Sequence, residues 1–423
     1  MDFIKELEWR GMLHDSTPGV AEALQNSMAT GYIGFDPTAP SMTIGNYVQL
    51  MLLTLFQRAG HKPIVLMGGA TGRIGDPSGK DKERELKSYE ELDSNLHFQM
   101  QQAKSLLNFE EGDNKAQIVN NLDFYKEMNA LDFLRTVGKT LTVNYMMSKE
   151  SVKKRIETGI SFTEFSYQLL QAYDFQCLYQ QYDCVVQMGG SDQWGNITSG
   201  TEFIRRNLGA KAYAITTPLL TKSDGRKFGK SEEGNIWLDP NMTSPYAFYQ
   251  FWLKAEDADI SKFTRYFTLK SQEEIETREA EIDDPRELKR LLAEELTVRI
   301  HSEAAYQSVL KVSELLFNKK ANREQLLAMS ESELITIASE IPSFTVDRNA
   351  VANGLTITDL LSGQTTIVNS TSEARRAIKN NAISVNKEKI SQHDALINQE
   401  ALLHGKYMMV ENGKKNKFII VAE

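Results

Sequence analysis

The sequence predicts an α/β protein: a doubly wound parallel sheet with a helical insertion, then an α-helical region and a small α+β domain. Three observations carry that prediction. Short apolar runs alternate with helical stretches, each run feeds a polar turn, and the alternation gives way to a helical pattern near Tyr246. In such sheets the turns after the strands line one crevice, where ligands bind.

The first unit is Tyr32–Gln49, YIGFDPTAPSMTIGNYVQ. Tyr32 to Phe35 is β-prone and Asp36-Pro37-Thr38 breaks it. Thr43-Ile44-Gly45-Asn46 then leads into an amphipathic run through Val48, Leu52, Leu55 and Phe56 that ends at Gly60. Backbone N–H groups at such a helix start favour an anion such as phosphate, although on this stretch alone an ordinary α/β connection reads the same way. Lys62–Met67 (KPIVLM) reads as a buried parallel strand, followed at once by GGATGRIGDPSGKDKER, Gly68–Arg84. Gln117–Asn120, Asp183–Met188 and Ala212–Thr216 repeat the pattern, the last two feeding GGSDQWGN and TPLLTKSDGRKFGKSEEGN.

Between about Leu131 and Tyr182 the chain is helical and aromatic-rich, an insertion between the two halves of the sheet. Its apolar residues serve either a symmetric dimer face or plain core packing. From Tyr246 to about Glu340 the pattern is helical. There Asp284-Pro285 reads as an N-cap with proline at the first helical position, and Leu288, Leu291, Leu292, Leu296 and Ile300 form one stripe. Residues 341–354 read as a linker. Beyond it, SEARRAIKNNAISVN predicts a helix from Ser372 carrying Arg375, Arg376 and Lys379, a turn at Asn380-Asn381, and a strand Ile383-Ser384-Val385.

The totals exclude several classes. At 423 residues the chain exceeds one usual hydrophobic core. Hydrophobic residues make up 41% and charged ones 25%, and no apolar run approaches the roughly 18 residues of a membrane span. The start MDFIKELEWR is charged and amphipathic, unlike a secretory signal. Cys177 and Cys184 form no disulfide framework and, with six scattered histidines, match no zinc spacing, so no protein-bound metal is expected and a reducing cytoplasm fits. Net charge is −9, yet Thr356–Glu423 holds nine Lys+Arg against seven Asp+Glu, a local +2 that leaves −11 for the first 355 residues. A polyanion would therefore be met by local patches, although +2 alone is also compatible with a solvated surface.

The segment Lys222–Asn235 (KSDGRKFGKSEEGN) places Lys227 and Lys230 around Gly229, with Ser231 following. Two ammonium groups on a mobile loop suit negative charge developing on a transferred or departing phosphate, while the segment alone also reads as a solvated loop.

Read together, the polar turn after the first strand and KFGKS after the last resemble the paired HIGH and KMSKS signatures of the class I aminoacyl-tRNA synthetases. Tyr32 with GFDPTAPS, then GGATGRIGDPSGK, Tyr167-x-x-x-Gln171-x-x-Asp174, QMGGSDQWGN and KFGKS resemble bacterial tyrosyl-tRNA synthetases over essentially the whole chain. The resemblance implies a Rossmann-like catalytic domain over 1–220, a mobile KFGKS loop and connection over 221–245, and a helical anticodon-side domain over 246–340. It also implies a C-terminal RNA-binding domain over 355–423, with Arg375, Arg376 and Lys379 as RNA contacts. It puts Tyr32 and Asp174 on the substrate's phenol hydroxyl and Asp76, Tyr167 and Gln171 around its ammonium group. Gln187 and Gln193 would meet substrate and adenylate, Gly190 and Asp192 the ribose, and Asp36 and Gly45 also line the ATP site. Thr38, Thr43, Asn46, Lys80, Arg84, Lys227, Lys230 and Ser231 would serve the phosphates. The implied partners are L-tyrosine, ATP with Mg2+, tRNA(Tyr) and a second copy of the chain in a homodimer, with no membrane.

Two departures stand out. Thr43 and Asn46 occupy the positions where the family usually has histidine; both still donate hydrogen bonds, but threonine reaches less far. Asn380-Asn381 replaces a common glycine at a turn, and asparagine tolerates the left-handed conformation. Thr43 motivates an alternative, a catalytically weakened paralogue acting as an RNA-binding module. Intact Asp76, Asp174, Gln193, Lys227, Lys230 and Ser231 argue against it.

Overall fold

Six strands build the sheet that carries the cleft: β1 (Asp15–Ser16), β2 (Thr30–Phe35), β3 (Lys62–Met67), β4 (Gln117–Asn120), β5 (Cys184–Gly190) and β6 (Tyr213–Thr217). The computed structural model describes the chain apart from residues 79–85, 227, 232–233, 319 and 414–415 and the side chains of residues 151, 154, 158, 230 and 231. The order is β1-β6-β5-β2-β3-β4; β2 to β6 run parallel, and only the two-residue edge strand β1 is antiparallel, pairing Asp15 with Thr216. That edge strand is absent from the sequence pattern because two residues are too short to show periodicity. β3 lies between β2 and β4 and is buried from Pro63 to Met67, as its unbroken apolar run requires.

Helix Ile44–Arg58 follows β2 and buries Val48, Leu52, Leu55 and Phe56 against the sheet side of the core. A Cβ at Gly31 of β2 would sit 2.9 Å from the Phe56 ring, so glycine permits this close approach. The insertion is helical as expected: Ala130–Asp132, a π-turn Phe133–Val137, Val143–Met147, Glu150–Thr158 and Phe162–Tyr182. It leaves Leu131, Leu134, Val143 and Phe162 exposed.

The chain divides into two compact units, 1–243 with 248–300 and 244–247 with 301–423. The expected helical block 246–340 is therefore shared between them. Helices Asp257–Phe267 and Pro285–Ile300 belong to the first unit: Phe263 and Phe267 of the former and Trp252 pack on Phe228, Tyr47 stacks on Phe267 at 5.9 Å, and the latter buries Leu292 and Leu296. Arg299 adds a hydrogen bond of 3.1 Å to the Tyr47 hydroxyl. The second of these helices starts at Pro285, the residue its sequence indicates.

The second unit contains helices Glu303–Phe317 and Glu331–Glu340 and a five-stranded sheet in the order Glu388–Lys389, Ile383–Val385, Tyr407–Asn412, Asn416–Ala422, Ser343–Val346. The last strand corrects the expected linker over 341–354. Its backbone pairs in parallel with Asn416–Ala422, and Val346 is buried in the core with Ile420 and Met408. Helix Thr371–Lys379 buries Ala374 and Ile378 and exposes Arg375, Arg376 and Lys379. Asn381, with φ +55°, takes the left-handed turn that its residue type permits.

Candidate active site

A cleft of about 270 Å3 opens at the carboxyl ends of β2 and β5, where the strand order reverses. Tyr32 of β2 lies in register with Gln187 of β5, and both line it. Helix Phe162–Tyr182 supplies Tyr167, Gln171 and Asp174 from a single face, at positions i, i+4 and i+7. The turns after β2, β3 and β5 contribute Asp36 and Thr38, Thr71 and Asp76, and Gly190, Asp192 and Gln193.

Asp174 and Tyr32 are each 1% exposed. Both Asp174 carboxylate oxygens accept hydrogen bonds, Oδ1 from the Tyr125 hydroxyl at 2.7 Å and Oδ2 from Asn121 Nδ2 at 2.8 Å. Burial pushes the Asp174 carboxyl up to about 7; Asn121 and Tyr125 hold it down and Asp36 adds to the rise. The Tyr32 hydroxyl is buried without a partner among the described residues, and burial holds its phenol well above the usual tyrosine value, with Asp174 adding to it. Gln187 Oε1 is buried and unpaired in the same way. Such groups cost stability until a ligand satisfies them.

A second network lies beside the first. Asp76 Oδ2 accepts from Gln193 Nε2 at 2.6 Å and Oδ1 from the Ser78 backbone N–H at 2.9 Å; Asn196 Nδ2 lies 3.1 Å from both Gln171 Oε1 and Ser78 Oγ. Tyr167, which the resemblance groups with Asp76 and Gln171, donates instead to Asp36 Oδ2 at 2.8 Å, and Asp36 Oδ1 accepts from Thr71 Oγ1 at 2.7 Å. A Cβ at Gly68 would lie 2.1 Å from Asp36 Oδ1, so only glycine leaves room for that carboxylate.

Towards the outer end the cleft is built from turns. Thr38 and Asn46 line it, whereas Thr43 and Gly45 do not. Thr43 caps helix Ile44–Arg58: Asn46 Oδ1 accepts from the Thr43 backbone N–H at 2.9 Å and from its hydroxyl at 2.8 Å. A backbone N–H only donates, so the Asn46 oxygen must face it and the amide Nδ2 is left as the donor available to the cleft. Among the described residues no histidine lines the cleft. The KFGKS segment packs on this helix start. Ile44 N–H donates to Ile236 O at 2.9 Å, Ile236 N–H donates to Gly229 O at 3.1 Å, and a Cβ at Gly229, φ +87°, would come within 3.4 Å of Gly45 N. Phe228 anchors the segment in the aromatic core. Lys80, Arg84 and Lys227 lie outside the described residues; Lys230 and Ser231 form a short strand whose side chains also lie outside them.

Asn121, Tyr125, Thr71, Ser78 and Asn196 were not singled out by their sequence. Thr71, Ser78 and Asn196 lie within the stretches GGATGRIGDPSGK and QMGGSDQWGN, and for Asn121 and Tyr125 the local signal is a place just after the run Gln117–Asn120. Among the described residues no group of three or more His, Cys, Asp and Glu could hold a metal ion.

A family model described as tRNA synthetases class I (W and Y) matches residues 25–318, and one described as Tyrosine--tRNA ligase SYY-like C-terminal domain matches 333–420. The tyrosine--tRNA ligase of Porphyromonas gingivalis is 49% identical over 100% of both chains, and that of Cytophaga hutchinsonii 51% identical over 99% of both. A C-terminally truncated mitochondrial tyrosyl-tRNA synthetase from Aspergillus nidulans superposes with a TM-score of 0.67 at 30% identity, covering 75% of this chain and 94% of that one. A tyrosyl-tRNA synthetase from Archaeoglobus fulgidus, complexed with L-tyrosine, shares the fold at 17% identity, with a TM-score of 0.54 over 73% of this chain and 100% of that one. A class I match over most of the length, a tyrosine-type C-terminal match and near-half identity end to end lead to one conclusion: this chain belongs to the tyrosyl-tRNA synthetases.

Proposed function

We propose that this chain activates L-tyrosine with ATP, giving tyrosyl-adenylate and pyrophosphate, and transfers the tyrosyl group to the terminal ribose of tRNA(Tyr). The observation that carries this reading is the pair of buried polar groups, Tyr32 and Asp174, facing one cleft. A phenol hydroxyl would donate to Asp174 and accept from Tyr32, whereas phenylalanine would leave the buried Tyr32 hydroxyl unpaired and give the Asp174 carboxylate no further donor. Tyrosyl-tRNA synthetase is itself the standing example of rejection by that route. Asp76, Gln171 and Tyr167 stand where the amino acid's ammonium group would lie.

The chemistry needs no protein nucleophile. The carboxylate of tyrosine attacks the α-phosphorus of ATP in line, the bond to the bridging oxygen breaks, and pyrophosphate leaves. The chain positions the reactants and places donors where charge grows: the start of helix Ile44–Arg58, Asn46 Nδ2, Thr38, and by family resemblance Lys80, Arg84, Lys227, Lys230 and Ser231. Gly190, Asp192 and Gln193 would hold the ribose and adenylate, with Gln187 beside the substrate. Magnesium would be carried by the ATP phosphates and would neutralise the departing pyrophosphate.

The chain works as a cytoplasmic homodimer in this reading. An apolar hollow of about 350 Å3 lined by Met128 and by Phe133, Leu134 and Phe162 of the insertion supports the dimer face, and two buried free cysteines suit a reducing compartment. Arg375, Arg376 and Lys379 would contact tRNA phosphates. Charging of tRNA(Tyr) with labelled tyrosine tests the whole: stable tyrosyl-tRNA is expected, while tRNA binding without charging would favour the RNA-binding paralogue.

A further inference from the structure

We infer that Tyr125 is a specificity-determining positioning residue, whose hydroxyl holds the Asp174 carboxylate as a fixed acceptor for the substrate's phenol. This rests on the reading that the phenol faces Asp174. A buried carboxylate that selects a phenol must stay ionised, so that it accepts and does not donate, and must keep one orientation. Asp174 is held towards both by two donors from outside its own helix, Asn121 Nδ2 and the Tyr125 hydroxyl, each on its own oxygen and each opposing the rise that burial causes. Asp174 is 1% exposed, so its carboxylate leans on these two donors until a ligand fills the cleft.

The groups facing Asp174 make the Tyr125 bond matter. Asp36, Tyr32, Tyr167, Tyr173 and Cys177 all act on it or are acted on by it, and not one is a cation. Among the described residues it is the two neutral donors that stand against burial and the Asp36 charge. Removing one shifts the carboxyl towards its protonated form, which is a poorer acceptor for a phenol. Tyr125 lines the apolar hollow on the insertion while its hydroxyl reaches inward, 2.7 Å from Asp174 Oδ1 and 3.0 Å from the Leu170 carbonyl, so Tyr125→Phe deletes both contacts, the shorter one to Asp174, and leaves the hollow's wall in place.

The test is tyrosine- and phenylalanine-dependent pyrophosphate exchange into ATP, measured across pH 6 to 9 for the wild-type chain, Tyr125→Phe and Asp174→Ala. For Tyr125→Phe we expect KM for tyrosine to rise roughly ten-fold with kcat nearly unchanged. The preference for tyrosine over phenylalanine should fall and its pH profile should move upward, selectivity being regained as pH rises and Asp174 ionises. A merely structural role would lower thermal stability without moving the pH profile. If Asp174→Ala erodes selectivity but Tyr125→Phe leaves both the ratio and the profile unchanged, the role given to Tyr125 is wrong. If Asp174→Ala itself stays selective, the phenol does not face Asp174 and both readings fall.

Discussion

The two ends of the cleft are made differently. At the end proposed for tyrosine, Gln171 and Asp174 in the middle of helix Phe162–Tyr182 are tied by hydrogen bonds at 2.7–3.1 Å to residues that follow β4 and β5, and Tyr32 of β2 and Gln187 of β5 are buried beside them. At the end proposed for the phosphates the donors come from a helix start and from turns, where glycines such as Gly45 and Gly229 let backbones meet closely. The contrast matches the two tasks. Selecting an amino acid requires groups fixed before the ligand arrives, so they sit on rigid elements. Lowering the barrier requires donors that bind the transition state better than the ground state, and a loop can supply them as the reaction proceeds.

The largest effect that would break this division is expected at the phosphate end. Lys230→Ala should slow adenylate formation roughly 100- to 1,000-fold, as loss of one transition-state donor does, with tyrosine binding unchanged. Single-turnover kinetics beside equilibrium binding checks this, and a parallel loss of tyrosine affinity would erase the contrast. At the other end, Asp174→Ala should do the reverse, weakening tyrosine binding about 10- to 100-fold by removing the acceptor proposed for the phenol. An unchanged Kd would take Asp174 out of recognition.

Smaller effects sharpen the picture. Replacing Arg375, Arg376 and Lys379 together by alanine should spare pyrophosphate exchange, weaken tRNA binding and lower its salt dependence by up to about three units of slope; an unaltered slope would remove this helix from the RNA interface. Thr43 and Asn46 should separate. Asn46→Ala is expected to cost about ten-fold in activation rate, and Thr43→Ala about 1 kcal/mol of stability through the lost cap, with a smaller effect on rate. Calorimetry with exchange assays decides, and a Thr43→Ala rate loss equal to that of Asn46→Ala would mean the threonine touches phosphate directly.

Much of the fold was legible because its signals are local. Lys62–Met67, Gln117–Asn120 and Pro285–Ile300 begin and end where apolar period, turn residues and proline place them. The strand Ser343–Val346 was read as linker because it is short and its neighbours include proline and asparagine; its pairing is with residues over seventy positions later, which no window contains. The site divides along the same line. Tyr32, Asp76, Gln171, Asp174 and Gln193 could be listed by motif, and they do line one cleft. Asn121 and Tyr125 could not, because what defines them is a hydrogen bond to a carboxylate about fifty residues away. Tyr167 was recognised, but its bond to Asp36 depends on how the helix crosses β2.

The central claim is that the buried Tyr32 and Asp174 select a phenol for activation at a cleft that no histidine lines among the described residues. Tyrosine-dependent exchange of labelled pyrophosphate into ATP by the wild-type chain, with phenylalanine and tryptophan as controls, tests it most directly. The account predicts exchange with tyrosine and essentially none with the other two. Equal exchange with phenylalanine, or no exchange from a folded chain that still binds tRNA, would contradict it.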